Sequence, residues 1–206
     1  ARGLSGRPLK ASPPAEGTVS RGSASSIPTG LVFVAAWTSG LGFFGMELAW
    51  NRVLAPLLGG SVFGFGVVLA VALAGLGLGG LLAVPLVPRA SPGLLALAFA
   101  LLALTLVLPL ATGNLVAHVA MLTQPLGVLG LAARVAQWAF VTSLVVLVPC
   151  VVAGAQFPVL VGLLGHGEAD VGRDVGRAYA VNTAGSVVGA LLGGFGILPL
   201  LGAVGT

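Results

Sequence analysis

Seven polar side chains lie in or beside long apolar runs: Glu47, Asn51, Arg134, Gln156, Tyr179, Asn182 and Ser186. Together they form a candidate intramembrane polar site. Glu47 is the carboxylate among them, and an ionisable group in an apolar span is costly enough to need a use. Two uses are open: a structurally paired or snorkelling carboxylate, and a proton or ligand site. At about 100° per residue, Gly40, Phe44, Glu47 and Asn51 share one narrow helical arc, whereas Arg52 lies about 140° around from Glu47. Arg52 is therefore a poor partner within the helix. Glu47 is expected about three residues, or roughly 5 Å of rise, from the end of its span, close enough to reach the interface or to meet Arg134 at a similar depth.

Chemistry of other kinds is missing. There is no nucleophile with a base beside it, no phosphate loop and no pair of carboxylates, so no catalytic residue is expected. One cysteine, Cys150, excludes a disulfide framework and a cysteine-based zinc site. His118 and His166 fall in different loops, and no metal site is expected. Gly75-x-Gly77-x-x-Gly80 spells a dinucleotide fingerprint, but no βαβ unit surrounds it. No cofactor is expected in this segment.

The elements that position these residues follow from composition. Of the 206 residues 57% are hydrophobic and 7% charged, against roughly 25% charged in a soluble domain, and the mean hydropathy is +1.12. Between Leu31 and Gly165 the charged side chains are Glu47, Arg52, Arg89 and Arg134. Such a segment belongs in lipid, and its abundant glycine suits close helix packing. The fold class is all-α, a polytopic transmembrane helical bundle whose first partner is the bilayer. The formal net charge of +4 raises nucleic acid as a partner, but the basic residues are dispersed rather than clustered, which excludes it.

A crossing takes about 20 apolar residues, and five spans are expected: Leu31 to Trp50, Val62 to Val87, Gly93 to Ala111, Val135 to Leu164, and Ala178 to Leu201. Asn114 to Ala132 is apolar but interrupted by His118, Gln124 and Pro125, and is read as an interfacial or re-entrant segment. Residues 1 to 29, rich in Ser, Pro and Gly, read as a disordered tail, and residues 30 to 206 as one transmembrane domain, incomplete at its C-terminus. With the tail in the cytoplasm, Arg2, Arg7, Lys10, Arg21, Arg89, Arg173 and Arg177 lie inside while Arg52 and Arg134 lie outside, the bias expected for a cytoplasmic N-terminus.

Two spans carry distinctive patterns. In the last, Tyr179, Asn182, Gly185, Ser186, Gly189, Gly193 and Gly196 fall within an arc of about 120°, a small and polar face suited to close approach of another helix with hydrogen bonds across the contact. Gly75, Gly77, Gly79 and Gly80 in the second span fit the same use. The fourth span contains Pro149, Gly154, Gln156 and Pro158, and its prolines should kink or break it, as in transporters whose interrupted helices line a cavity. The loop Gly165 to Arg177, with Asp170 and Arg173 and then Asp174 and Arg177 at i, i+3 spacing, reads as a short solvated turn.

Read in order, these residues resemble the membrane domain of the spermidine synthase-like transmembrane proteins, the fused major-facilitator/spermidine-synthase family. Glu47, Trp50, Arg52 and Leu54, Gly60-Ser61-Val62, Val68-Leu69-Ala70 and the Gly75 to Gly80 run are similar to that family's first hairpin. Pro149, Gly154-Ala155 and Phe157-Pro158 resemble its proline-flanked motif. Gly176-Arg177-Ala178-Tyr179-Ala180, Asn182-Thr183, Gly185, Gly189-Ala190, Gly194-Phe195, Leu198-Pro199 and Gly202 resemble its most recognisable stretch. Ala153 stands where the family usually has Met, and Gln156 where it usually has Thr. The resemblance implies a bacterial inner (plasma) membrane location. It also implies a further cytoplasmic, Rossmann-like domain of aminopropyltransferase type, making spermidine from decarboxylated S-adenosylmethionine and putrescine, expected beyond Thr206.

Three functions compete on this reading. The first is the membrane domain of a spermidine synthase-like protein, which anchors or regulates a cytoplasmic domain. The second is a transporter-like bundle for a small solute, motivated by Glu47, the interrupted fourth span and the polar face of the fifth. A polyamine is a poor candidate for that solute, because several carboxylates would be needed to compensate its charge. The third is a non-catalytic packing subunit of a larger membrane complex.

Overall fold

The computed structural model describes residues 27–164 and 167–197. The disordered-tail assignment for residues 1–26 and the last residues of the fifth span, 198–201, lie outside the described residues. Within them the chain is helical, without strands. Helix α1 is Thr29–Leu54, and α2 is Val62–Ala83 followed by a 3-10 turn at Val84–Arg89. Helix α3 is Pro92–Ala111, and α4 is Gly113–Thr123 with a 3-10 turn at Gln124–Leu129. Helix α5, Leu131–Thr142, passes through a π-helical segment at Ser143–Leu147 into α6, Val148–Leu164. Helix α7, Gly167–Leu191, ends in a second π-helical segment, Leu192–Ile197.

Local chemistry sets the boundaries. The α1–α2 turn uses Gly59 and Gly60 at φ +78° and +61°, a left-handed conformation that a Cβ would oppose. Ser61 then caps α2, its Oγ accepting from the Gly64 N–H at 3.2 Å, and Ser91 caps α3 by accepting from the Leu94 N–H at 3.2 Å. These caps satisfy donors that a helix start leaves unpaired. Pro85 and Pro88 close α2 in a tight turn, as residues without an N–H should.

Five helical stretches are long and apolar enough to cross a bilayer: Thr29–Leu54, Val62–Arg89, Pro92–Pro109, Leu131–Leu164 and Gly172–Gly196. Their outward faces carry large apolar side chains such as Val62, Phe63, Leu104, Val107, Phe140 and Phe195, a surface suited to lipid and a liability in water. Helix α4 rises only about 16 Å, half the hydrocarbon thickness of roughly 30 Å.

Two expectations are corrected. Of the kink or break expected at the prolines of the fourth span, the break is absent: helix runs from Leu131 to Leu164, and the wider π turn at Ser143–Leu147 ends two residues before Pro149, where it makes room for a ring that would strike the preceding turn of an α-helix. The charged stretch after Gly165 is not a solvated turn, because α7 starts at Gly167 and Asp174 is buried. Glu47 lies seven residues before the end of α1 at Leu54, about 10 Å of rise.

Helices pair through their glycines. On α1 and α7, a Cβ at Gly185 would land on the Trp37 carbonyl oxygen, one at Gly189 on that of Leu41, and one at Gly40 on that of Asn182. On α2 and α6, a Cβ at Gly79 would strike the Val151 carbonyl oxygen and one at Gly154 that of Leu76. Each pair is thus locked from both sides by backbone against backbone. Gly77 has open space around it, so it is not part of the α2 seam. Gly196, in the π-helical segment, is also open.

Two apolar clusters fill the bundle. Trp50, Leu54, Leu58, Val68, Val141 and Val146 form one, and Val32, Ala36, Leu95, Val159, Leu160 and Leu164 the other. Gly79→Ala should lower the thermal midpoint of the detergent-solubilised protein, since forcing one methyl into a close-packed seam costs about 1–3 kcal/mol. Gly77→Ala on the same helix should leave it unchanged or raise it, by helix propensity of up to about 1 kcal/mol.

Candidate functional site

Six of the seven polar residues sit on α1, α6 and α7, and Arg134 on α5. Ser39 and Gln156 are buried, and the Ser39 hydroxyl donates to Gln156 Oε1 at 2.9 Å. The Gln156 amide Nε2 donates in turn to the Ala98 carbonyl oxygen on α3 at 3.2 Å. One side chain therefore ties α6 to both α1 and α3, and each amide atom has a partner, as a buried amide in an apolar setting requires. On α7, Asn182 Nδ2 donates to the Ala36 carbonyl oxygen of α1 at 2.9 Å. The Ser186 hydroxyl donates back to the Asn182 carbonyl oxygen at 2.9 Å, a bond within its own helix.

Helices α1 and α2 are not close-packed against each other, although each is seamed to another helix. The space this leaves is a cavity of about 420 Å³ lined by Ser39, Gly40, Phe43, Phe44 and Glu47 of α1, Leu69, Ala72, Leu73 and Leu76 of α2, Ala153, Gly154 and Phe157 of α6, and Tyr179 and Asn182 of α7. The α1 residues recur at helical spacing and form one face. Phe157 and Tyr179 meet edge to face with centroids 6.2 Å apart, and Phe43 and Phe44 at 5.8 Å.

Of the seven residues singled out by sequence, the structure brings Glu47, Tyr179 and Asn182 to this cavity. Gln156 reaches its wall through Ser39, and Ser186 lies one turn beyond Asn182. Asn51 lies elsewhere, lining two clefts of about 690 and 250 Å³ at the end of α1, the first shared with Arg52, Gly59, Gly60 and Gly194. Arg134 does not meet Glu47. It is exposed in the first turn of α5 and lies over Gly127, where a Cβ would stand 2.9 Å from its Nε. Similar depth in a bilayer does not make two residues neighbours. Ser39 is the residue sequence reasoning missed, and its i, i+8 spacing to Glu47 was the available signal. Among the described residues no group of His, Cys, Asp and Glu could hold a metal ion.

The class this defines, among the described residues, is an all-helical, polytopic membrane bundle with a largely apolar cavity, bearing a few polar groups, between two glycine-seamed helix pairs. No protein-family model, curated protein or solved structure matches the chain.

Ser39→Ala should destabilise the detergent-solubilised protein by about 0.5–1.5 kcal/mol, the range of hydrogen bonds between membrane helices, because it strands a buried amide oxygen. A double-mutant cycle with Gln156→Leu, read from unfolding, should show coupling of that order. Additivity would mean that the two side chains are not bonded.

Proposed function

We propose that this chain is the membrane domain of a spermidine synthase-like protein, anchoring or regulating a cytoplasmic domain of aminopropyltransferase type. The observation that carries this reading is the stretch from Gly176 through Gly194-Phe195, the most specific part of the resemblance. Its residues Asn182, Gly185 and Gly189 are those that seam α7 to α1. A rigid seam leading toward the chain's C-terminal part suits an anchor. The absence of a catalytic constellation in the sequence of this segment agrees with chemistry located in another domain.

The test is the reading frame after Thr206. It should continue into a strand, a glycine-rich turn and a helix followed by acidic residues, and the detergent-extracted product should form spermidine from decarboxylated S-adenosylmethionine and putrescine. A stop codon at that point would remove the proposal.

A second reading, movement of a small solute, is favoured by the cavity between α1 and α2. Vesicles carrying the protein should then show solute or proton flux that Glu47→Gln reduces, and identical flux for the two proteins would eliminate Glu47 from any such path.

A further inference from the structure

We propose that the cavity between α1 and α2 binds a lipophilic organic monocation, a single ammonium group against Glu47 with an apolar body along Phe43, Phe44 and Phe157. The inference concerns occupancy alone and rests on neither reading above.

Charge comes first. Glu47 is the one acidic group lining the cavity, and among the described residues it has no hydrogen bond or ion pair. A carboxylate so placed is balanced in its ionised form by one positive charge. A second cationic centre in the ligand would have nothing to neutralise it.

Hydrogen-bond polarity points the same way. The Ser39 proton is committed to Gln156 and one Asn182 amide proton to the Ala36 carbonyl. Ser39 then offers the cavity its Oγ as an acceptor, while Asn182 keeps Oδ1 and one amide proton and the Tyr179 hydroxyl can accept or donate. Acceptors stand at both ends, with Ser39 about 12 Å of helix rise from Glu47. Among the described residues no cationic side chain lines the cavity, so its polar groups can serve a donor-bearing cation and offer an anion no opposite charge. Between the ends the lining is aromatic and aliphatic, and ring faces attract an ammonium ion while accommodating its apolar part.

Access and depth narrow the ligand further. Phe44, Leu73 and Tyr179 are exposed at the rim, so the cavity opens sideways, toward lipid, and a solute that partitions into the bilayer can enter. Glu47 lies seven residues, about 10 Å of rise, before the end of α1 at Leu54. The ligand assigned to it is a free amine, told apart from a phosphatidylethanolamine headgroup by the competition arm of the test.

The test is equilibrium binding to the protein in phosphatidylcholine nanodiscs, with partition into empty nanodiscs subtracted. The probes are phenylbutylammonium, the neutral phenylbutanol of the same shape, and spermidine. Phenylbutylammonium should bind saturably, one per chain, with the alcohol and the trication each at least about tenfold weaker. Glu47→Gln should bring the ammonium down to the affinity of the alcohol while alcohol binding stays unchanged, which also reports an intact cavity. Replacing part of the lipid with phosphatidylethanolamine should not compete. Equal affinity of the amine and the alcohol for the wild-type protein, which requires no variant to fold, would overturn the proposal. So would undiminished amine binding by Glu47→Gln, tighter binding of spermidine, or no saturable binding, and competition by phosphatidylethanolamine would overturn the assignment to a free amine.

Discussion

Helices surrounded by hydrocarbon gain little from burying apolar side chains against one another, because lipid tails are as apolar as leucine. What discriminates one helix contact from another is then how near two backbones can come. In this protein that distance is set by glycine: Gly185 and Gly189 admit carbonyl groups of α1, Gly40 admits one of α7, and Gly79 and Gly154 exchange the same contact between α2 and α6. Everything else in the bundle is arranged around these two seams.

The seams have a consequence for the space between them. Each of α1 and α2 is committed to another partner, so they stand apart, and the gap is the cavity. Gln156 keeps that gap from becoming a separation of halves. Its amide bonds Ser39 on α1 and the Ala98 carbonyl on α3, and it lies between apolar clusters built around Trp50 and around Leu160. Polar groups of this kind add modest energy per bond in a membrane, but an unpaired amide there is expensive, so the bonds fix register more than they supply stability.

Much of the architecture was legible because lipid imposes a simple rule of length and apolarity. The five spans, the small face of α7 and the small-residue seam of α2 follow from composition and helical period. What escaped is non-local or depends on backbone detail. The Ser39–Gln156 bond joins residues 117 positions apart, and no periodicity in either helix announces it. The stretch from Gly167 to Arg177 looked like loop because it is charged, yet a helix continues past the apolar segment when its own hydrogen bonds are satisfied. The prolines of the fourth span point to a kink or a break, and the helix stays continuous with a π turn beside Pro149 that absorbs the misfit. Of the candidate site, Glu47, Tyr179 and Asn182 converge, whereas Asn51 and Arg134 go elsewhere, since sequence gives depth and face but not which helix stands opposite.

The pairing of α1 with α7 is tested most directly by cysteine cross-linking in native membranes, in a Cys150→Ala background. A Cβ at Gly193 stands 3.4 Å from the Gly45 Cα, which puts the two Cα atoms within about 5 Å, inside the roughly 4.4–6.8 Å Cα separation that disulfides span. Mild oxidation of the Gly45→Cys/Gly193→Cys protein should give an intramolecular bridge, while Gly77→Cys/Gly193→Cys, with its α2 cysteine on an open face, should stay reduced. A bridge in the second protein and none in the first would contradict the glycine-seamed arrangement on which the cavity and its proposed ligand depend.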